Sequence, residues 1–78
     1  MDSFLQQVTD MNEAERVLFK SGIAENLTVG KVYVVQIDDD GSFCVEGERY
    51  VFDDLHMPNN EFFVNPLLEV EYYAVKKS

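Results

Sequence analysis

Residues 31–37, Lys-Val-Tyr-Val-Val-Gln-Ile, are the stretch that decides the predicted fold. Five of these seven residues are β-branched or aromatic, and Gly30 and Asp38 bound the run, which is typical of a β-strand. The next four residues, Asp38-Asp39-Asp40-Gly41, favour a hairpin turn, because Asp-Gly readily adopts the positive φ angles that such turns need. We therefore predict a β-hairpin near the centre of the chain.

Further strands are predicted downstream of this hairpin, where short apolar runs alternate with turn residues. Turns are expected at Gly47-Glu48 and at Asn65-Pro66, and residues 53–60 form the longest loop. The predicted strands are residues 42–46, 49–52, 62–64 and 67–75. In the last of them one face carries Leu68, Val70, Tyr72 and Ala74.

Upstream of residue 25 the apolar residues take a helical spacing instead. Steps of four, three, three and four residues separate Phe4, Val8, Met11, Ala14 and Leu18. Asp10 followed by Glu13 resembles a capping box, so a second helix is expected to begin there. Lys20 and Gly22 suit the last turn and the stop of that helix. We therefore predict one bent helix or two short ones over residues 3–20.

Together these elements predict an α+β fold in a single domain over residues 1–78. The N-terminal helix precedes a five-stranded antiparallel meander over residues 27–75, and residues 76–78 form a tail. An open sheet of such short strands leaves both edges bare, so we expect the meander to curl into a small β-barrel.

The first hairpin carries a family resemblance. Residues 27–35, Leu-Thr-Val-Gly-Lys-Val-Tyr-Val-Val, and residues 37–45, Ile-Asp-Asp-Asp-Gly-Ser-Phe-Cys-Val, resemble the opening hairpin of small SH3-like β-barrels that phages and prophages encode. The similarity covers residues 27–52, a third of the chain. The tight Gly47-Glu48-Arg49 turn and the N-terminal helix depart from that pattern. The resemblance implies a non-enzymatic adaptor or inhibitor, although fold alone never fixes activity.

Composition excludes several classes of protein. The 78 residues carry 15 acids and six bases, a net charge of −9, which repels nucleic acid and anionic membranes. A hydrophobic content of 46% is too high for a disordered acidic tail. The single cysteine, Cys44, excludes an internal disulfide and a cysteine-based zinc cluster. Because no secretory or membrane-spanning segment is evident, we expect a cytoplasmic protein.

Enzymatic and metal sites find little support in the sequence. Cys44 and His56 lack an evident orienting group, so neither is predicted to be catalytic. The Asp38-Asp39-Asp40-Gly41 stretch suggests calcium, but an EF-hand loop needs a glutamate where the chain has Gly47. A hairpin turn explains the same acids, with weak divalent-ion binding as the alternative. We predict a non-enzymatic protein with no metal and no cofactor.

The acids are concentrated in one half of the chain. Residues 38–71 contain ten acids and one base, Arg49, for a net charge of −9. Such a surface suits a basic groove on a partner, the kind that holds nucleic acid, and simple solubility is the alternative. The predicted partner-binding acids are Asp38, Asp39, Asp40, Glu46, Glu48, Asp53 and Asp54.

Aromatic residues complete the predicted binding surface. In the pairs Phe62-Phe63 and Tyr72-Tyr73 one member of each faces away from the core, and we assign that position to Phe63 and Tyr73. The alternative is that the helix covers them. The leading hypothesis is an acidic phage-encoded inhibitor of the anti-CRISPR or anti-restriction type that blocks a host nucleic-acid-binding protein. The alternative is an assembly protein that forms a homo-oligomer through an exposed aromatic face.

Overall fold

The computed structural model describes residues 3–41 and 47–77, and antiparallel sheet dominates the described part. A 3-10 turn at Met11–Glu13 separates the first two strands, and a short helix α1 (Glu61–Val64) precedes the last one. The strands in chain order are β1 (Ser3–Val8), β2 (Arg16–Ser21), β3 (Val32–Val34), β4 (Gln36–Ile37), β5 (Arg49–Phe52), β6 (Pro58–Asn59) and β7 (Glu69–Lys77).

These strands form two sheets rather than a closed barrel. One sheet has four strands in the order β1-β7-β2-β3, and the other has three in the order β4-β5-β6. The predicted strand over residues 31–37 is divided at Val35, whose N–H donates to the Glu15 carbonyl at 3.0 Å, so β3 and β4 enter different sheets. The prediction of a closed five-stranded barrel is therefore wrong for the described residues.

The predicted N-terminal helix is also wrong, because residues 3–20 form β1, a 3-10 turn and β2. Asp10 does cap, and its Oδ1 accepts from the Asn12 N–H at 2.8 Å, but only a single 3-10 turn follows before Ala14 becomes extended. Lys20 lies in β2, and Gly22 follows that strand with a φ of +127°. β1 and β2 pair with opposite edges of the nine-residue β7, and this pairing outweighs the helical spacing of the apolar residues.

Pairing registers fix which side chains face inward. Val17 and Phe19 of β2 lie opposite Tyr72 and Val70 of β7, and both β2 residues are buried. The intervening Leu18 therefore faces the outer side of the sheet, as strand alternation requires. The predicted inward face of the last strand is confirmed, since Leu68 and Ala74 are buried and Val70 and Tyr72 pack on the core.

One apolar core joins the two sheets and α1. Phe62, predicted as a strand residue, lies in α1 instead and is buried against Phe19 and Tyr33. Local polar contacts favour this helix, because the Glu61 N–H donates to Asn59 Oδ1 at 2.8 Å and Asn65 Nδ2 donates to Glu61 Oε2 at 2.9 Å. The buried core residues are Val17, Phe19, Leu27, Tyr33, Val51, Phe62 and Leu68.

The predicted central hairpin, with its turn at residues 38–41, is not tested, because its second strand falls on residues that the structure does not describe; the pairing that is described joins β4 to β5, with Gln36 opposite Tyr50. Beyond β4, Asp38 N–H donates to the Glu48 carbonyl at 2.9 Å and Gly47 N–H donates to the Asp38 carbonyl at 2.7 Å. The predicted strand at 42–46, with Cys44 and Glu46, lies outside the described residues.

Candidate protein-binding site

Asp54 lies in a hydrogen-bonded cluster that joins two loops. Its carboxylate accepts from Lys31 Nζ at 2.7 Å, from the Tyr33 hydroxyl at 2.9 Å and from Thr28 Oγ1 at 2.6 Å. The Tyr33 hydroxyl in turn accepts from the Thr28 N–H at 2.8 Å. Asp54 N–H also donates to the Asn26 carbonyl at 2.8 Å. The Asp54 cluster therefore fixes the loop before β3 to the loop after β5.

These contacts favour the charged form of Asp54. The pKa of its carboxyl falls from 3.8 to about 2, first because Lys31 donates a hydrogen bond and next because Thr28 does, while partial burial opposes the shift. The same hydrogen bond raises the pKa of Lys31. Burial is the largest cause of the raised pKa of Tyr33. Asp54, predicted to bind a partner, is thus engaged within the protein.

The Asp54 cluster predicts an acid-dependent loss of stability. Because the folded pKa of Asp54 lies below the unfolded value of 3.8, its contribution is fully present above about pH 4 and is lost as the pH falls toward 2. Urea unfolding of the wild type and of Asp54→Asn should differ at neutral pH and converge near pH 2. The pH-dependent difference should shrink in a Lys31→Met background. A difference that stays constant down to pH 2 contradicts the assignment.

Asp53 is the second predicted acid that serves the fold. It is buried, and its Oδ1 accepts from the backbone N–H groups of Leu55 and Met57, each at 2.9 Å. The turn that it closes contains His56, whose φ of +61° and exposed side chain mark it as a turn residue. The Asp53 carboxylate therefore closes the loop between β5 and β6.

The remaining acids lie at the opposite end of β5. Asp38 is buried at 3% exposure, whereas Asp39 and Asp40 are exposed and Glu48 is half-buried. Asp53 lies five positions after Glu48, a span of about 16 Å along an extended strand. The structure thus brings Asp39, Asp40 and Glu48 into one loop, here called the acidic hairpin, and places Asp53 and Asp54 away from it.

A cleft opens at the base of the acidic hairpin. Its volume is about 230 Å³, and it brings Glu48 together with Phe63, two predicted binding residues that lie far apart in the sequence. Arg49 forms part of its wall, where Nη1 donates to Asn12 Oδ1 at 3.0 Å and Nη2 to the Asn12 carbonyl at 3.1 Å. The residues that line this Arg49 cleft are Met11, Asn12, Gly47, Glu48, Arg49, Phe63 and Val64.

Sequence analysis missed most of the Arg49 cleft, although it singled out Arg49 as the one base among ten acids. Met11 was assigned to a helix, and nothing local linked residues 11–12 to residues 47–49 or 63–64. Apolar walls from Met11, Phe63 and Val64 beside charges of both signs can accept one partner side chain with an aliphatic stem and a polar end.

The two predicted aromatic anchors lie on different sides of the four-stranded sheet. Phe63 is half-buried and stacks on Tyr72, with ring centroids 6.2 Å apart, on the core side. Tyr73 faces the outer side, where its hydroxyl donates to Glu71 Oε1 at 2.7 Å. The structure therefore brings Phe63, but not Tyr73, to the Arg49 cleft.

Within residues 3–41 and 47–77, no three His, Cys, Asp or Glu side chains are grouped so that they could hold a metal ion. In the same part of the chain, no helix has the length and apolar character needed to span a bilayer.

Comparison of the chain with protein-family models, curated proteins and solved structures found no match. The resemblance to SH3-like phage proteins therefore stays a prediction.

Proposed function

We propose that this chain is a non-enzymatic protein-binding module that uses the acidic hairpin and the Arg49 cleft. Its target is a host protein with a basic groove that normally holds nucleic acid, and its place of action is the host cytoplasm. In this proposal a phage encodes the chain as an inhibitor of host defence. Asp39, Asp40 and Glu48 attract the groove, and the cleft accepts one side chain from its rim.

The uneven distribution of charge carries this proposal. The strands of the four-stranded sheet contain four bases and two acids, a net charge of +2. All other residues together contain 13 acids and two bases, a net charge of −11. A module that needed charge only for solubility gains nothing from separating its bases and acids in this way. A binding module gains an electric field that orients it toward its partner.

A neighbouring apolar cavity gives the acidic hairpin a means of fixing position. Charge attraction raises the association rate and selects basic surfaces, but it does not define one register. Phe63 and Val64 offer an apolar contact in the Arg49 cleft, next to Glu48 of the hairpin. Acids beside an apolar cleft support recognition of a lysine or arginine side chain, which carries its charge on an aliphatic stem.

The first test is a matched comparison of charge reversals. Tagged wild-type protein should capture a nucleic-acid-binding host protein that salt and short duplex DNA both displace. Asp39→Lys with Asp40→Lys should weaken capture by at least about tenfold, through lost attraction and new repulsion. The control, Glu25→Lys with Glu69→Lys, changes the net charge equally at exposed acids outside the hairpin and should retain capture.

Equal capture by both double variants contradicts the proposed use of the acidic hairpin. Capture that neither salt nor duplex DNA displaces contradicts mimicry of nucleic acid. Circular dichroism of both variants establishes that a loss of capture is not a loss of fold.

The alternative function, assembly through an exposed aromatic face, depends on Tyr73. This residue lies on the outer face of the four-stranded sheet, which also carries the exposed apolar side chains of Val34 and Leu5. Phe63 lies on the other side of the sheet and does not extend that face. A homo-oligomer that Tyr73→Ala dissociates, with no host protein captured, favours the alternative.

A further inference from the structure

β1 is an edge strand without the features that usually protect such edges. It pairs with β7 on one side, and among the described residues no strand pairs with its other side. Its six residues, Ser-Phe-Leu-Gln-Gln-Val, contain no charge, no proline and no glycine, and the pairing shows no bulge. Natural edges are usually short, charged or interrupted, because exposed backbone groups otherwise recruit another strand.

Hydrogen bonds of β7 show which backbone groups of β1 are available. The Tyr73 carbonyl accepts from Glu15 N–H at 2.8 Å, so the backbone groups of Tyr73 face β2. By alternation, those of Tyr72 and Ala74 face β1, where they pair with Val8 and Gln6. The N–H and C=O groups of Leu5 and Gln7 therefore point away from β7, toward the open edge.

The side chains of β1 leave apolar surface exposed on both faces of the sheet. Phe4, on the core side, is 53% exposed, and Leu5, on the outer side next to Val75, is 44% exposed. The rest of the described chain covers only about half of each of these residues. A strand added at this edge would extend both faces and shield both residues from water.

The edge of β1 is where charge opposes a second copy of this chain least. Two copies with a net charge of −9 repel each other, and the repulsion is weakest where their acids are fewest. β1 is uncharged, and Ser3 and Phe4 lie opposite Lys77 and Lys76 of β7. The acidic hairpin belongs to the other sheet.

The sequence of β1 is also self-complementary in one antiparallel register. When a two-fold axis passes through Leu5, the backbone groups that point to the open edge in one copy meet those that do so in the other. Leu5 then faces Leu5 of the second copy, and Ser3 faces Gln7 of the second copy. On the outer face this register joins polar to polar and apolar to apolar side chains. On the inner face Phe4 lies beside Gln6 of the second copy.

We propose that a second copy of this chain pairs with β1 in this register and joins two four-stranded sheets into one of eight strands. This inference stands apart from the proposed function, because it uses neither the acidic hairpin nor the Arg49 cleft. Salt distinguishes the two interactions. It screens repulsion between two acidic copies and strengthens the dimer, whereas it weakens an acidic surface bound to a basic groove.

Sedimentation velocity of the full chain from about 1 μM to about 1 mM tests the proposal. The wild type should change from monomer to dimer over this range. Leu5→Lys should raise the Kd of the dimer by at least about tenfold, because two lysines then face each other across the two-fold axis. Val32→Lys is the matched control, since Val32 is 43% exposed on the same face but lies on β3 at the far edge.

Two further measurements keep the test independent of the folding of any single variant. Mixing Leu5→Lys with Leu5→Glu should restore the dimer. In the wild type, amide exchange at Leu5 and Gln7 should slow as concentration rises, while Gln6, which already bonds to β7, should not change. A monomer throughout the range, a dimer unaffected by Leu5→Lys, or equal weakening by Val32→Lys overturns the proposal.

Discussion

Replacing Phe62 with alanine should lower the free energy of unfolding of this protein by about 3 to 5 kcal/mol. Phe62 is 3% exposed, and its ring lies 5.2 Å from the rings of both Phe19 and Tyr33. It is therefore the contact through which α1 meets β2 and β3. A chain of 78 residues has a total stability of about 4 to 12 kcal/mol, so the loss is at least about a quarter of the total.

Urea unfolding monitored by tyrosine fluorescence or circular dichroism measures this loss. Phe52→Ala is the matched control, because Phe52 is 41% exposed and meets Tyr50 at a centroid distance of 5.5 Å. We expect it to cost less than about 1.5 kcal/mol, since little buried surface is removed. Equal losses for the two variants contradict the central position of Phe62 in the core.

Replacing Asp53 with alanine should have the second-largest effect, a loss of about 2 to 4 kcal/mol in the free energy of unfolding. Asp53 is buried at 7% exposure, and one of its oxygens accepts from two backbone N–H groups, those of Leu55 and Met57. Alanine leaves both donors without that acceptor in the turn between β5 and β6.

Asp53→Asn separates the geometry of this contact from its charge. Asparagine retains an oxygen in the same position, so it should restore most of the stability that alanine loses. Both variants remove one acid from the chain. If they lose equal stability in urea, the two backbone hydrogen bonds are not the reason that Asp53 matters.

The strands that were predicted correctly carry their pattern in consecutive residues. β5 has the predicted bounds, and β7 shows the predicted alternation, with Tyr72 facing the core and Tyr73 facing away. In both cases, neighbouring β-branched and aromatic residues suffice to indicate an extended chain.

The first two strands were not predictable in this way, because their partner is distant. β1 and β2 both pair with β7, about 50 to 70 positions later in the chain. Their helical spacing of Phe4, Val8 and Met11 is a local feature that long-range pairing outweighs. Val17 and Phe19 carried the correct alternation, but the helical spacing that includes Leu18 competed with it.

The short helix α1 was predicted as a strand because two local signals in its sequence favour different structures. The Phe62-Phe63-Val64 run has strong strand propensity, whereas the asparagines at either end of it form the hydrogen bonds that favour a helical turn. Hydrogen bonds of this type depend on one or two polar side chains, and a prediction from residue propensities gives them little weight.

The predicted binding acids fall into two groups that the sequence alone does not distinguish. Charge marked Asp39, Asp40, Asp53 and Asp54 alike, but only the structure shows that the last two stabilise loops. Glu48 and Phe63 meet at the Arg49 cleft through the packing of α1 near β5, which no sequence spacing encodes.

The position of β7 between β1 and β2 has a consequence for the order of events during synthesis. Before β7 is synthesised, β2 can pair only with β3 and β1 lacks the strand that it pairs with, so the four-stranded sheet assembles only after β7 has left the ribosome. Closing loops of this length before any pairing is gained slows folding. Until then β1 presents backbone groups without the partner that they have in the folded protein.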